Sequence, residues 1–149
     1  MELVRKVASF GASEDDLKNI YFLFVRSLLE QSATVWHSSL TQENCDDLER
    51  VQKSAVKIIL GPKYDCYKKS LVKLDMESLQ ERREFLCLTF AQKCLKNPKT
   101  KKMFPENKKE HQMETRNPEK YFVQHANTER LKKSAIIFMQ NLLNENELK

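Results

Sequence analysis

The chain has 149 residues, of which 40% are hydrophobic and 32% charged, and its formal net charge is +5. This length suits about one domain, and the composition is that of a globular protein rather than a disordered or fibrous one. No apolar run approaches the ~18 residues of a membrane span, and residues 1–6 lack the apolar core of a secretory signal. We therefore expect no membrane partner and an intracellular location, nuclear or cytoplasmic, rather than secretion.

Glycine and proline are scarce, with 2 and 4 residues, which leaves little of the chain for tight turns and favours an all-α fold. The apolar spacing predicts a first helix from about Glu2 to Phe10. Ser13 then caps a long second helix, residues 14–37, whose wide apolar face marks it as the central core helix. Residues 22–24 are all large and apolar and cannot all face one core, so we expect an exposed apolar patch there.

Three further helices follow in the middle of the chain. Thr41 is the predicted N-cap of the third helix, which ends at residue 60 before a Gly-Pro pair. A short helix spans about Cys66–Lys73. The fifth helix starts after Asp75 or Ser78 and runs to about residue 96, where Asn-Pro closes it.

The remainder of the chain is polar at first and apolar at its end. Residues 99–118 read as a basic linker, and residues 121–123 as a short extended segment. A final helix follows, with Thr128 or Ser134 as its N-cap. We therefore predict a single all-α domain of about five to six helices, organised as a bundle over 1–97 and a basic linker with a docked tail helix over 98–149.

Neither a cofactor nor a metal site is expected. The four cysteines form no CxxC pair and read as reduced thiols, while the three histidines are isolated from them and from one another. The doublets Asp15-Asp16 and Asp46-Asp47 each follow a cap residue, and helix-dipole charge explains them better than a polymerase metal site does. No glycine-rich phosphate loop and no nucleophile–base motif occurs, so no catalytic residue is predicted.

The basic residues point to a polyanion. Arg50, Lys53 and Lys57 are spaced by three and four and line one face of the third helix, where they could follow phosphates. The same spacing is also that of an ordinary solvated face. Arg82 and Arg83 lie early in the fifth helix and suit phosphate recognition, although neighbouring glutamates make surface ion pairs an alternative.

Aromatic side chains near the end of the chain give a second candidate. Tyr121 and Phe122, with Lys120 and His125 close by, could stack on bases. Docking of the tail onto the core is the alternative role for the two rings.

Several blocks of the sequence resemble one family. IYFLFVRSLLEQSATVWHSSL at 20–40 is similar to the region after the palm in reverse transcriptases of non-LTR (LINE) retrotransposons, and LERVQKSAVKIILG at 48–61 is similar to a second signature of that family. SLQERRE at 78–84, RNPEKYFV at 116–123 and TERLKKSAIIFMQNLLN at 128–144 follow in the family's order. The jockey-like branch resembles the chain most closely.

The resemblance implies a helical thumb and C-terminal extension that grips the template–primer duplex beside the palm. The expected partners are RNA or an RNA–DNA hybrid and the palm of the parent polyprotein. The family's Tyr-x-Asp-Asp palm motif and its endonuclease have no counterpart here, so the resemblance implies a non-catalytic piece of an RNA-directed DNA polymerase. The alternatives are a helical protein-interaction or structural module, which could self-associate, and a retrotransposon-derived relic without independent function.

Overall fold

The computed structural model describes residues 1–106 and 120–147 of the chain. Helices make up most of these residues, and none of them belongs to a β-strand, so the predicted all-α class is confirmed. The α-helices of the described residues are α1 (Glu2–Ser9), α2 (Glu14–Ile20), α3 (Ser27–Glu30), α4 (Ala33–Trp36), α5 (Gln42–Leu60), α6 (Tyr67–Lys73), α7 (Leu79–Lys96), α8 (Pro98–Lys101), α9 (Glu129–Lys132) and α10 (Ala135–Glu147). A π-helical segment, Tyr21–Arg26, and two 3-10 turns, His37–Ser39 and Gly61–Lys63, complete the order.

The chain packs as two compact units. The first comprises Met1–Ala33 and Leu40–Arg83, and the second comprises Thr34–Ser39 and Glu84–Lys149. The predicted division at residues 97 and 98 differs from this one, because the later turns of α7 bury side chains in a core that they share with α10. The predicted linker begins with helix α8, and its residues 107–118 lie outside the described part of the chain.

In the first unit, helix α5 is the element on which the others pack. Thr41 caps it as predicted, with the hydroxyl Oγ1 accepting from the amide of Asn44 at 3.3 Å. Its buried side chains recur at steps of three and four and meet apolar residues of α1, α2 and α6. The inward residues of α5 are Gln52, Ala55, Val56, Ile59 and Leu60.

A polar network crosses this apolar core at Gln52, which is fully buried. Its Oε1 accepts from the hydroxyl of Tyr21 at 2.6 Å. Its Nε2 donates to the hydroxyl of Tyr67 at 3.0 Å and to the carbonyl of Glu77 at 2.8 Å. The Tyr67 hydroxyl in turn donates to the carboxylate of Glu49. Burial raises the pKa of Tyr21 and of Tyr67 well above its ordinary value, so both hydroxyls stay protonated donors.

The predicted helix over 14–37 is wrong as one continuous element. After α2 the chain widens into the π-helical segment, and after α3 it breaks at Gln31 and Ser32, where Ser32 takes a positive φ of 54°. A π-helix bonds i to i+5 and so turns less per residue than an α-helix. In α-helical phase Phe24, Val25 and Leu28 would all lie near the inward face of Tyr21, whereas the wider turns keep Val25 inward and rotate Phe24 and Leu28 away.

That rotation leaves an apolar surface exposed, as predicted for residues 22–24. Leu23, Phe24 and Leu28 are 69%, 57% and 70% exposed. Phe22 is partly buried against the core, and the guanidinium of Arg26 lies 4.1 Å from its ring centroid. We call Leu23, Phe24 and Leu28 the apolar patch.

Helix α7 begins with a reciprocal cap. The hydroxyl of Ser78 accepts from the amide of Glu81 at 3.2 Å, and the amide of Ser78 donates to the Glu81 carboxylate at 3.0 Å. Of the two predicted starts Ser78 is therefore the N-cap, and Asp75 lies outside the helix with a φ of 51°. Hydrogen bonds from Ser78 lower the pKa of Glu81 below its ordinary value.

The second unit is held together by apolar packing and by the buried side-chain amides of Gln140 and Asn144. Cys87, Ala91 and Cys94 of α7 lie in one core with Met139 and Leu143 of α10. All four cysteines of the chain are free thiols.

The predicted tail helix, α10, is docked on α7 through their shared core, and two hydrogen bonds hold the segment before it. Asn144 binds the backbone of Tyr121 in both directions, at 2.9 Å to its N–H and 3.1 Å to its carbonyl. Thr128 and Ser134, the two alternative caps, each start a helix of their own, because the hydroxyls accept from Leu131 and Ile137 respectively.

Replacing Gln52 with Ala should lower the free energy of unfolding by about 3 kcal/mol. The change leaves the Tyr21 hydroxyl and the Glu77 carbonyl without their partner in the core, and each buried unsatisfied group costs about 1–3 kcal/mol. Urea unfolding of the full chain measures it. The control is Gln42→Ala at the exposed start of the same helix, which should change stability by less than about 1 kcal/mol. Equal losses for the two variants would contradict the role assigned to Gln52.

Replacing Glu81 with Gln should make the chain less stable at neutral pH but not in acid. The pKa of Glu81 is lower in the folded chain than in the unfolded one, so ionisation stabilises the fold above the unfolded pKa. That contribution disappears as the pH falls through the lowered folded pKa. Urea midpoints measured from pH 7 downward should therefore converge for the variant and the wild type. Glu43→Gln, at an exposed carboxylate in the first turn of α5, is the control and should show a smaller pH-dependent difference.

Candidate nucleic-acid interface

Three of the predicted phosphate contacts lie together on the solvent side of α5. Arg50, Lys53 and Lys57 are all exposed, on the face opposite the buried residues of that helix. With a rise of about 1.5 Å per residue, the row from Arg50 to Lys57 is about 10 Å long. We call these three residues the basic row.

The members of the basic row differ in how much of their charge is already neutralised. The Arg50 guanidinium lies 2.8 Å from the Asp47 carboxylate in an exposed pair. Lys53 and Lys57 have no carboxylate within 4 Å among the described residues. These two ammonium groups are therefore the most available to an anion. Arg50 is less available, because even a weak exposed ion pair with Asp47 competes with an incoming anion.

Two tyrosine rings lie beneath the lysines. The ammonium of Lys53 is 5.3 Å from the centroid of Tyr67, and that of Lys57 is 5.5 Å from the centroid of Tyr64. An ammonium over a ring face is attracted by the ring quadrupole, which keeps the extended lysine near the helix surface. The ring of Tyr67 is fixed in turn by the bonds of its hydroxyl to Gln52 and Glu49. The buried network thus positions one side of the basic row.

The other two predicted phosphate contacts are placed differently. The side chain of Arg82 is 28% exposed, and its Nε lies 3.3 Å from the Glu30 carboxylate, which also pairs with Arg26 at 3.2 Å. Arg83 is fully buried. A phosphate reaches a guanidinium only where solvent reaches it, so Arg83 does not belong to the accessible candidates, and Arg82 is already engaged with a carboxylate. Sequence spacing had placed both on a surface because it carries no information on tertiary burial.

The aspartate doublets lie at helix starts. Asp16 bonds with Ser13, whose hydroxyl caps α2, and Asp47 pairs with Arg50. In residues 1–106 and 120–147 no group of three or more His, Cys, Asp or Glu side chains is arranged to hold a metal ion. Within the same ranges, no helix has both the length and the apolar character needed to cross a membrane.

The second unit holds the aromatic candidates. Tyr121 is buried in the core that α7 and α10 share, and this is the structural role that the sequence left open for it. Phe122 is 49% exposed and lines a pocket between the segment after α8 and helices α9 and α10. Lys120 lies over the ring of Tyr121 at 5.5 Å, and His125 is exposed.

Charge is divided between the two units in a way that sequence segments did not reveal. The first unit contains 13 basic and 13 acidic residues, so its net charge is zero. The second contains 13 basic and 8 acidic residues and carries the whole +5. The packing decides this division, because Glu84 and the later residues belong with 34–39.

Comparison with known proteins returned no match, whether to a family model, to a curated protein or to a solved structure.

Proposed function

We propose that this chain is a non-catalytic helical module that grips nucleic acid, of the thumb type implied by its resemblance to non-LTR retrotransposon reverse transcriptases. RNA or an RNA–DNA hybrid is the proposed ligand, beside the palm of a parent polymerase. The observation that carries the proposal is the basic row with its tyrosines. Lys53 and Lys57 offer two uncompensated charges at helical spacing on a rigid 19-residue helix.

The physical case rests on where these charges lie. The inward side of α5 is fixed by the core, so the row keeps its direction without any ordering on binding. A backbone phosphate binds such a row through charge alone and releases counterions, which makes affinity depend on salt but not on sequence. A thumb that follows a duplex during synthesis needs this kind of contact, since it must accept every sequence.

The double variant Lys53→Ala, Lys57→Ala should weaken binding to an RNA–DNA hybrid and flatten its salt dependence. Each lost phosphate contact removes up to about 0.9 from the slope of log affinity against log salt on a duplex, so two contacts remove up to about 1.8. Fluorescence anisotropy at several salt concentrations measures the slope, with hairpin RNA and duplex DNA as parallel ligands.

The control for this experiment is Lys93→Ala, Lys96→Ala, which removes the same charge from the exposed surface of α7, where neither lysine has a carboxylate within 4 Å among the described residues. This control should leave the slope nearly unchanged. If both double variants flatten the slope equally, binding follows net charge rather than the basic row, and the proposed grip is refuted. Adding Arg50→Ala should have a smaller further effect, because Asp47 already shares that charge.

A second function is favoured by a different observation, the apolar patch. Leu23, Phe24 and Leu28 expose large side chains close together in sequence on one segment. A helical unit that completes its fold against another protein, such as a palm or a second copy of itself, would present such a surface. This role is compatible with the basic row, because the two surfaces use different elements.

If the apolar patch drives association, the wild-type chain should self-associate at low micromolar concentration. Phe24→Ser, Leu28→Ser should shift it to a monomer without changing its charge, and sedimentation velocity distinguishes the two states. Val72→Ser is the control, since Val72 is 82% exposed on α6 and lies outside the patch. A wild-type chain that stays monomeric throughout this range would count against self-association.

A further inference from the structure

The second unit contains a pocket of ≈ 340 Å³, distinct from the basic row. Small-molecule sites commonly span about 300–1,000 Å³, so this pocket has room for one compact ring system rather than a large ligand. Met103, Phe122, Leu131 and Ile136 form apolar parts of its wall, and each of them is between 36% and 49% exposed.

Phe122 presents an aromatic ring at this pocket from a fixed backbone. Its amide donates to the carbonyl of Pro105 at 2.8 Å. The preceding residue, Tyr121, is buried and bound on both sides of its peptide by Asn144. The half-exposed ring therefore needs no rearrangement before it meets a flat partner, and bases stack on such rings whatever their sequence.

Gln140 anchors the wall of the pocket from below. It lines the pocket and is only 4% exposed. Its Nε2 donates to the carbonyl of Met103 at 3.0 Å, which fixes the orientation of the amide, because a flipped amide would set two acceptors against each other. Its Oε1 then accepts no hydrogen bond within the described residues. That oxygen is itself buried, so the amide holds the Met103 segment in place and is not a contact for a ligand.

The charge around the pocket selects the class of ligand. Lys102 lines it, and no carboxylate does so among the described residues. The neighbouring segment carries Arg130, Lys132 and Lys133, of which Lys132 is paired with Glu129. The unit as a whole holds the entire net positive charge of the chain. A flat ring that is attached to a phosphate backbone fits the half-exposed Phe122 and the lysine together, whereas an apolar peptide side chain would not use the lysine.

We infer that this pocket binds one unpaired nucleobase of a single-stranded nucleic acid, with Phe122 stacking on the base and Lys102 meeting the adjoining phosphate. The inference deepens the proposed nucleic-acid function but rests on other residues than the basic row. RNA and DNA share this chemistry and are compared as separate arms of the test.

The test compares a short fluorescein-labelled single strand with an abasic strand of the same length and charge. The wild-type chain should bind the strand with bases about tenfold more tightly, the size of effect that one base–aromatic stack commonly gives. Phe122→Ala should remove this preference and leave affinity for the abasic strand unchanged. Phe122→Trp should retain the preference, because it keeps an aromatic face.

Phe90→Ala is the matched control, since Phe90 is 45% exposed in the same unit and does not line the pocket. It should keep the preference. Equal binding of both strands by the wild-type chain, or an equal loss on both strands in Phe122→Ala, would overturn the inference. An apolar peptide whose binding depends on Phe122, together with no preference between the strands, would overturn it in favour of a protein ligand.

Failure of this inference can be separated from failure of the basic row. Lys53→Ala, Lys57→Ala should weaken both strands alike and leave their ratio unchanged, because those lysines contact phosphates only. If the wild-type chain binds both strands equally, but the lysine variant still flattens the salt slope, the pocket alone is refuted. If the lysine variant leaves the salt slope unchanged, but the wild-type chain still prefers the strand with bases, the basic row alone is refuted.

Discussion

The first unit depends on one buried side-chain amide. Gln52 accepts from Tyr21 and donates to Tyr67 and to the Glu77 carbonyl, so a single residue of α5 ties together three segments distant in sequence. In a low-dielectric interior such bonds are strong when complete and costly when any member is lost. An apolar side chain could not make these bonds, so Gln52 must point toward its three partners. This requirement fixes the rotation of α5 about its axis. That rotation decides which lysines of α5 reach solvent.

The π-helical segment is the second constraint, and it acts on surface rather than on core. It begins at Tyr21, whose hydroxyl reaches the network, and by turning less per residue it carries Phe24 and Leu28 away from the interior. One local change of winding thus supplies both a core contact and an apolar surface. Extended π-helical turns are uncommon and frequently accompany function, which agrees with an external partner for the patch.

Much of the fold could be predicted from local signals, because caps and stops are local. Thr41 and Ser78 start their helices where the sequence indicated. The place of Gln52 on the inward face of α5 could not be predicted, since a buried glutamine is invisible to a rule that counts apolar residues. The burial of Arg83 could not be predicted for the same reason. Of the candidate site, the basic row could be predicted from spacing, whereas the Phe122 pocket needs contacts between residues far apart in sequence.

The positions of the four thiols give the molecule an internal reporter of its own opening. Cys66 is exposed and Cys45 is partly so, both in the first unit, whereas Cys87 and Cys94 are buried in the core of the second. A thiol reagent modifies a buried cysteine only when the surrounding core opens, and its rate then measures the free energy of that opening. Alkylation rates at Cys87 and Cys94 therefore follow the unfolding of the second unit specifically, without any label having to be introduced into the chain.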